Sequence, residues 1–100
     1  MTQYLIATSV LENIVRGSLE GDARLRIHSP LPLVRTRPIE IAVNGEQCFV
    51  SIQLDARMGE NLPSLAGSVR RTIADALASM TGLKVAAVDV AFNGVFPVGV

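Results

Sequence analysis

The strongest constraint on the fold is an Asn-Gly pair, Asn44 and Gly45, which lies between two segments of alternating polar and apolar residues. Asn-Gly favours the tight turn of a β-hairpin, because both residues tolerate the positive φ that a type I′ turn requires. Alternation over Ile39–Val43 and again over Cys48–Arg57 is typical of strands with one buried face. The sequence therefore predicts an antiparallel hairpin with one face on a core and the other toward solvent.

Two other segments carry apolar residues at helical spacing. In the first, which runs to Leu19, Ser9 and Glu12 have the spacing of a capping box, in which each side chain accepts a hydrogen bond from a free backbone N–H. In the second, Asn61 is the candidate N-cap, and Gly82 suits the left-handed position after the last turn. Both helices are predicted to present one apolar stripe to a common core.

The remaining segments are predicted as strands and connections. Gln3–Ala7 is short and apolar, Arg24–His28 alternates with period two, and Lys84–Asn93 carries valines at alternate positions. Prolines in Ser29–Pro38 predict a surface connection, and Asn93 with Gly94 predicts a turn before an apolar tail.

The principal elements follow the order β-α-β-β-α-β in a chain of 100 residues, which is the length of one domain. We therefore expect a single α+β domain over residues 1–100, with a small, mainly antiparallel sheet and two helices on one face. This order is typical of the split βαβ layout, although it leaves the order of strands in the sheet open.

Composition narrows the class of protein further. Cys48 is the one cysteine, so no disulfide forms within the chain, and a reducing compartment fits. No apolar run approaches the roughly 20 residues of a membrane span, and the first residues do not resemble a signal peptide. Net formal charge is zero, which favours no particular partner. We expect a cytoplasmic protein that reaches a membrane only through a partner or a surface contact.

Few residues could carry catalysis. His28 is the one histidine, and nothing in the sequence places it beside Cys48 as a nucleophile–base pair. One His and one Cys cannot supply a zinc site, and no phosphate-binding glycine motif is present. We expect no enzymatic activity, no metal and no cofactor.

Two groups of residues are candidate contact sites. Four arginines fall in one stretch without an acidic residue between them, and they could meet a protein partner, anionic lipid or nucleic acid phosphates, or form only a solvated face. These are Arg24, Arg26, Arg35 and Arg37. Phe49 is predicted on the outward face of its strand, where an exposed aromatic often marks an interface. In the apolar tail Val95–Val100, Phe96 and Val98 either pack on the core or contact another chain.

The second half of the chain resembles the alkaline-shock-protein family, also called the envelope stress response family. The resemblance is carried by Gly59–Pro63 before the second helix and by Met80–Leu83 at its end. It implies a non-enzymatic, cofactor-free bacterial protein tied to envelope homeostasis and stress, which self-associates and is held near the membrane by an integral-membrane partner. A small nucleic-acid-binding module that uses the segment from Arg24 to Arg37 is the alternative.

Overall fold

The structure, a computed structural model, describes residues 6–29 and 37–98. Over these residues the chain forms two helices and four strands, and the class is α+β, as predicted. In chain order the elements are α1 (Thr8–Leu19), β1 (Leu25–Ile27), β2 (Ile39–Asn44), β3 (Gln47–Arg57), α2 (Leu62–Thr81) and β4 (Lys84–Phe96). The strand predicted over Gln3–Ala7 lies mostly outside the described residues, and its last two residues, Ile6 and Ala7, are not in a strand.

β3 is the central strand of the sheet. β4 pairs with it in parallel along its whole length, from Gln47 to Arg57. β1 and β2 are antiparallel to β3 and pair with its residues 54–56 and 47–52. Because a strand has only two edges, β1 and β2 lie end to end along the edge opposite β4.

The core lies on one face of this sheet, under both helices, as predicted. Alternate residues of β3 are at most 2% exposed, which places every second side chain of the strand in the interior. They are Cys48, Val50, Ile52, Leu54 and Ala56. Against them pack Leu11, Val15 and Leu19 of α1 and Leu65, Val69, Ile73 and Leu77 of α2. Both sets have the spacing of one helical face, which confirms the predicted stripes except at one end of each, where Val10 on α1 and Met80 on α2 are exposed.

The caps of α2 are those predicted, whereas the cap of α1 is not. Asn61 Oδ1 accepts from the backbone N–H of Ser64 at 3.0 Å, and Gly82 ends the helix with φ +74°. The capping box predicted at Ser9 is wrong, because α1 begins at Thr8 with Ala7 as its N-cap and no side-chain hydrogen bond. Its predicted partner Glu12 instead faces Arg37, with Oε1 and Nη1 3.5 Å apart.

The hairpin between β2 and β3 is confirmed, but its turn is one residue later than predicted. Asn44 pairs with Gln47, so Gly45 and Glu46 are the central residues. Gly45 has φ +64°, and among the described residues only glycines have positive φ. Glycine at the first central position, the requirement of a type II′ turn, therefore defines the loop, and Asn44 belongs to the strand.

β4 departs from the prediction in two ways. It is the direct neighbour of β3, so β3, α2 and β4 form a contiguous βαβ unit and the split layout is wrong. It also continues through Asn93 and Gly94, where a turn was predicted, because the register shifts by one residue opposite Leu54 and Asp55. A bulge of this kind absorbs an extra residue without ending the strand.

Candidate interaction surface

The side of the sheet away from the helices is called the open face here. It is formed by the outward side chains of β3 and their lateral neighbours on both edges. From β3 these are Phe49, Ser51, Gln53, Asp55 and Arg57; from β1 and β2, Arg26, Glu40 and Ala42; and from β4, Ala87, Asp89, Ala91 and Phe96. No described helix covers this face, because α1 and α2 both pack on the other side.

One end of the open face is acidic around an exposed aromatic ring. Glu40 and Asp89 pair with Ser51 from opposite edges of β3, so the two carboxylates flank the strand at one level. One level away, Phe49 lies between Ala42 and Ala87 and is 42% exposed. Small neighbours leave the ring open on both sides. A shallow depression of about 280 Å³ is lined by Glu40, Ala42, Phe49, Ser51 and Asp89, together with Ile41 and Val50.

The other end carries a cation held over a second ring. The guanidinium carbon of Arg26 lies 4.0 Å from the centre of the Phe96 ring, within the range of a cation–π contact. Beside it, His28 Nδ1 and Asp55 Oδ1 are 2.8 Å apart. A Cβ on Gly94 would lie 2.9 Å from the same carboxylate oxygen, so glycine lets the β4 backbone pass close to Asp55.

The arginine segment is not brought together into one patch. Arg24 Nη2 lies 2.8 Å from Asp22 Oδ2, and the side-chain hydrogen bond from Arg24 is the main cause that lowers the pKa of Asp22. Arg37 faces Glu12 on α1, and Arg26 lies on the open face above Phe96. Arg35 lies outside the described residues. Three of the four arginines therefore point to three different parts of the domain.

Cys48 and His28 are on opposite sides of the sheet. Cys48 is fully buried in the core, and this burial raises the pKa of its thiol. His28 continues the pairing of β1 with β3, through its backbone N–H to the carbonyl of Gln53, and its ring contacts Asp55 on the open face. A nucleophile–base pair from these two residues would require a proton to cross the sheet.

The predicted interface residues differ in how much they expose. Phe49 is on the open face, as its place in the alternation of β3 predicts. Phe96 belongs to β4 and is half-buried below Arg26. Val98 lies beyond the last strand and is 69% exposed. The sequence prediction missed Glu40 and Asp89; alternation places each on the outward face of its strand, but only the register brings both beside Ser51.

Residues 6–29 and 37–98 contain no group of three or more His, Cys, Asp or Glu residues placed to hold a metal ion. Neither of the described helices is both long and apolar enough to cross a bilayer.

Fold and surface together define a small α+β domain with one helix-covered face and one open face. Residues 34–97 match the alkaline shock protein 23 family, which is described as having a cell envelope-related function. The match covers more than half of the chain, and the chain belongs to this family. It includes β2, β3, α2 and β4 and leaves α1 and β1 outside. No curated protein and no solved structure matches the chain.

Proposed function

We propose that this protein is a non-enzymatic interaction protein of the bacterial cell envelope. It acts on the cytoplasmic side, near the membrane, through self-association and through contacts with protein partners, one of them membrane-anchored, in envelope homeostasis or stress. The observation that carries the proposal is the match of residues 34–97 to a family with a cell envelope-related function.

The open face supports an interaction role. An aromatic ring that is 42% exposed on a sheet costs solvation free energy in the free protein, and this cost is recovered when a partner covers the ring. Aromatic side chains are enriched at the centres of protein interfaces for the same reason. The separation of Cys48 from His28 by the full thickness of the sheet supports the absence of a catalytic pair.

No observation favours the nucleic-acid alternative. Arg24 is engaged by Asp22, and Arg37 is close to Glu12, so a carboxylate already offsets part of each positive charge. Phe96 is covered by Arg26 and offers no free ring for base stacking.

Molar mass in solution tests the proposal. The purified chain is measured by light scattering after size exclusion, at low and at high salt. We expect a dimer or larger species at both salt concentrations, because contacts made by buried apolar surface are insensitive to charge screening. Complexes held by phosphate contacts, in contrast, dissociate as the salt concentration rises. A monomer at both salt concentrations over the accessible concentration range would contradict the self-association part of the proposal.

A further inference from the structure

Two carboxylates of the open face have no cation beside them. Glu40 and Asp89 are exposed, pair with Ser51 from opposite edges of β3, and have no hydrogen-bond or ion-pair partner among the described residues. The cation of β4, Lys84, pairs with Gln47, which is about 13 Å further along β3. That separation is well beyond the range of an ion pair, so the negative charge of both carboxylates is uncompensated.

The other charged groups of this face are already engaged. Asp55 Oδ1 lies 2.8 Å from His28 Nδ1, and Arg57 Nη2 lies 2.6 Å from Glu60 Oε2. Arg26 holds its guanidinium over an aromatic ring. The charge on the open face that still lacks a partner is therefore negative, and it lies at the end that also carries Phe49.

Phe49 supplies an unoccupied aromatic surface beside the two carboxylates. It is the next outward residue of β3 before Ser51, about 7 Å away along the strand, and it is 42% exposed. The depression of about 280 Å³ is lined by this ring together with Glu40 and Asp89. Pockets that bury a drug-sized ligand have about 300–1,000 Å³, so this shallow depression suits a single side chain.

A guanidinium group matches each part of this site. Its planar fork of N–H donors binds carboxylates in pairs of hydrogen bonds, and its flat face stacks on an aromatic ring. The far end of the same sheet already shows the second contact, because the guanidinium carbon of Arg26 lies 4.0 Å from the centre of the Phe96 ring. Phe49 is an exposed ring of the same face with carboxylates in place of a cation beside it.

We propose that the Phe49 end of the open face binds an arginine side chain from a basic segment of a protein partner. The guanidinium lies over the Phe49 ring, between the carboxylates of Glu40 and Asp89. Segments that flank a membrane span on its cytoplasmic side are enriched in Lys and Arg, so a membrane-anchored partner would present such a segment. The inference rests on the partner contacts in the proposed function and adds the site and its chemistry to them.

Binding of a model peptide tests the site. The probe is a fluorescein-labelled peptide in which four arginines alternate with glycines, and its neutral counterpart carries citrulline in place of each arginine. Fluorescence anisotropy is measured with the chain diluted until light scattering gives a monomer, so that a second copy on the open face does not compete. We expect saturable binding of the arginine peptide that weakens as salt rises, and binding of the citrulline peptide that is at least about tenfold weaker.

Variants of the site separate its two contacts. Glu40→Gln combined with Asp89→Asn should raise the dissociation constant of the arginine peptide about tenfold, because both ion pairs are lost. Phe49→Leu keeps an apolar side chain without an aromatic face, and we expect a rise of about two- to fivefold. Glu20→Gln combined with Asp75→Asn is the control, since it removes the same net charge from exposed positions at α1 and α2 and should leave the affinity unchanged.

The outcomes separate this site from the proposed function. No binding of the arginine peptide, equal binding of the citrulline peptide, or equal losses in the two double variants would overturn the site. Molar mass of the undiluted chain is an independent measurement, so a chain that self-associates without binding the arginine peptide loses only the site. A chain that binds the arginine peptide but is monomeric at every concentration keeps the site and loses the self-association.

Discussion

Replacing Leu77 with alanine is expected to lower the free energy of unfolding by about 2–5 kcal/mol. Leu77 lies on α2 and is fully buried in the core cluster that joins both helices to β3. Truncation removes apolar burial and leaves a cavity that rigid neighbours on a sheet and two helices fill only in part. The total free energy of unfolding of a domain this size is about 5–15 kcal/mol, so the variant loses a large share of its stability.

Met80 supplies the control for this experiment. It follows Leu77 by one turn on the same helix but is 69% exposed, so Met80→Ala should change the free energy of unfolding by no more than about 0.5 kcal/mol. Urea unfolding followed by circular dichroism measures both variants. Equal losses for the two variants would contradict the placement of the α2 stripe against the sheet.

Replacing Phe49 with alanine is expected to have the largest effect on association. The ring is 42% exposed in the free domain and lies at the acidic end of the open face, so a partner that covers this face buries it. Loss of an aromatic side chain that is buried in an interface can cost about 2 kcal/mol, which corresponds to a dissociation constant raised about 30-fold.

Sedimentation equilibrium over a concentration series measures this change for Phe49→Ala. Met80→Ala is again the matched control, because it removes an exposed apolar side chain from the helical side without touching the open face. An unchanged dissociation constant for Phe49→Ala, in protein that does dimerise, would show that self-association uses another surface.

The parts of the fold that follow from local patterns were predicted from the sequence. The hairpin of β2 and β3, the Asn61 cap, the Gly82 stop and the apolar stripes depend on residues near one another in the chain, where periodicity and turn chemistry apply. The capping box at Ser9 was wrong because α1 begins one residue earlier, at Thr8, with Ala7 as its N-cap, and Glu12 lies near the distant residue Arg37 instead. A tertiary contact of this kind is invisible to a local pattern.

The parts that depend on register were not predicted. Nothing local determines that β4 pairs in parallel with β3, or that Asn93 and Gly94 form a bulge rather than a turn. The close approach of Gly94 to the Asp55 carboxylate explains a glycine that the sequence pattern assigned to a loop. Likewise, Phe49 could be placed outward by alternation alone, but its acidic neighbours on two other strands required the register of the whole sheet.

Cross-linking at Ala91 tests the central claim, that the open face meets another copy of itself, most directly. Ala91 is exposed and pairs with Gln53, so it lies near the middle of the open face, where two copies packed face to face would meet. The two sheets would be about 10 Å apart, within reach of a short bismaleimide. Ser79→Cys on α2 is the exposed control, and the buried native Cys48 should contribute no background. We predict a covalent dimer from Ala91→Cys and none from Ser79→Cys; a dimeric protein that cross-links at position 79 and not at position 91 would contradict the account.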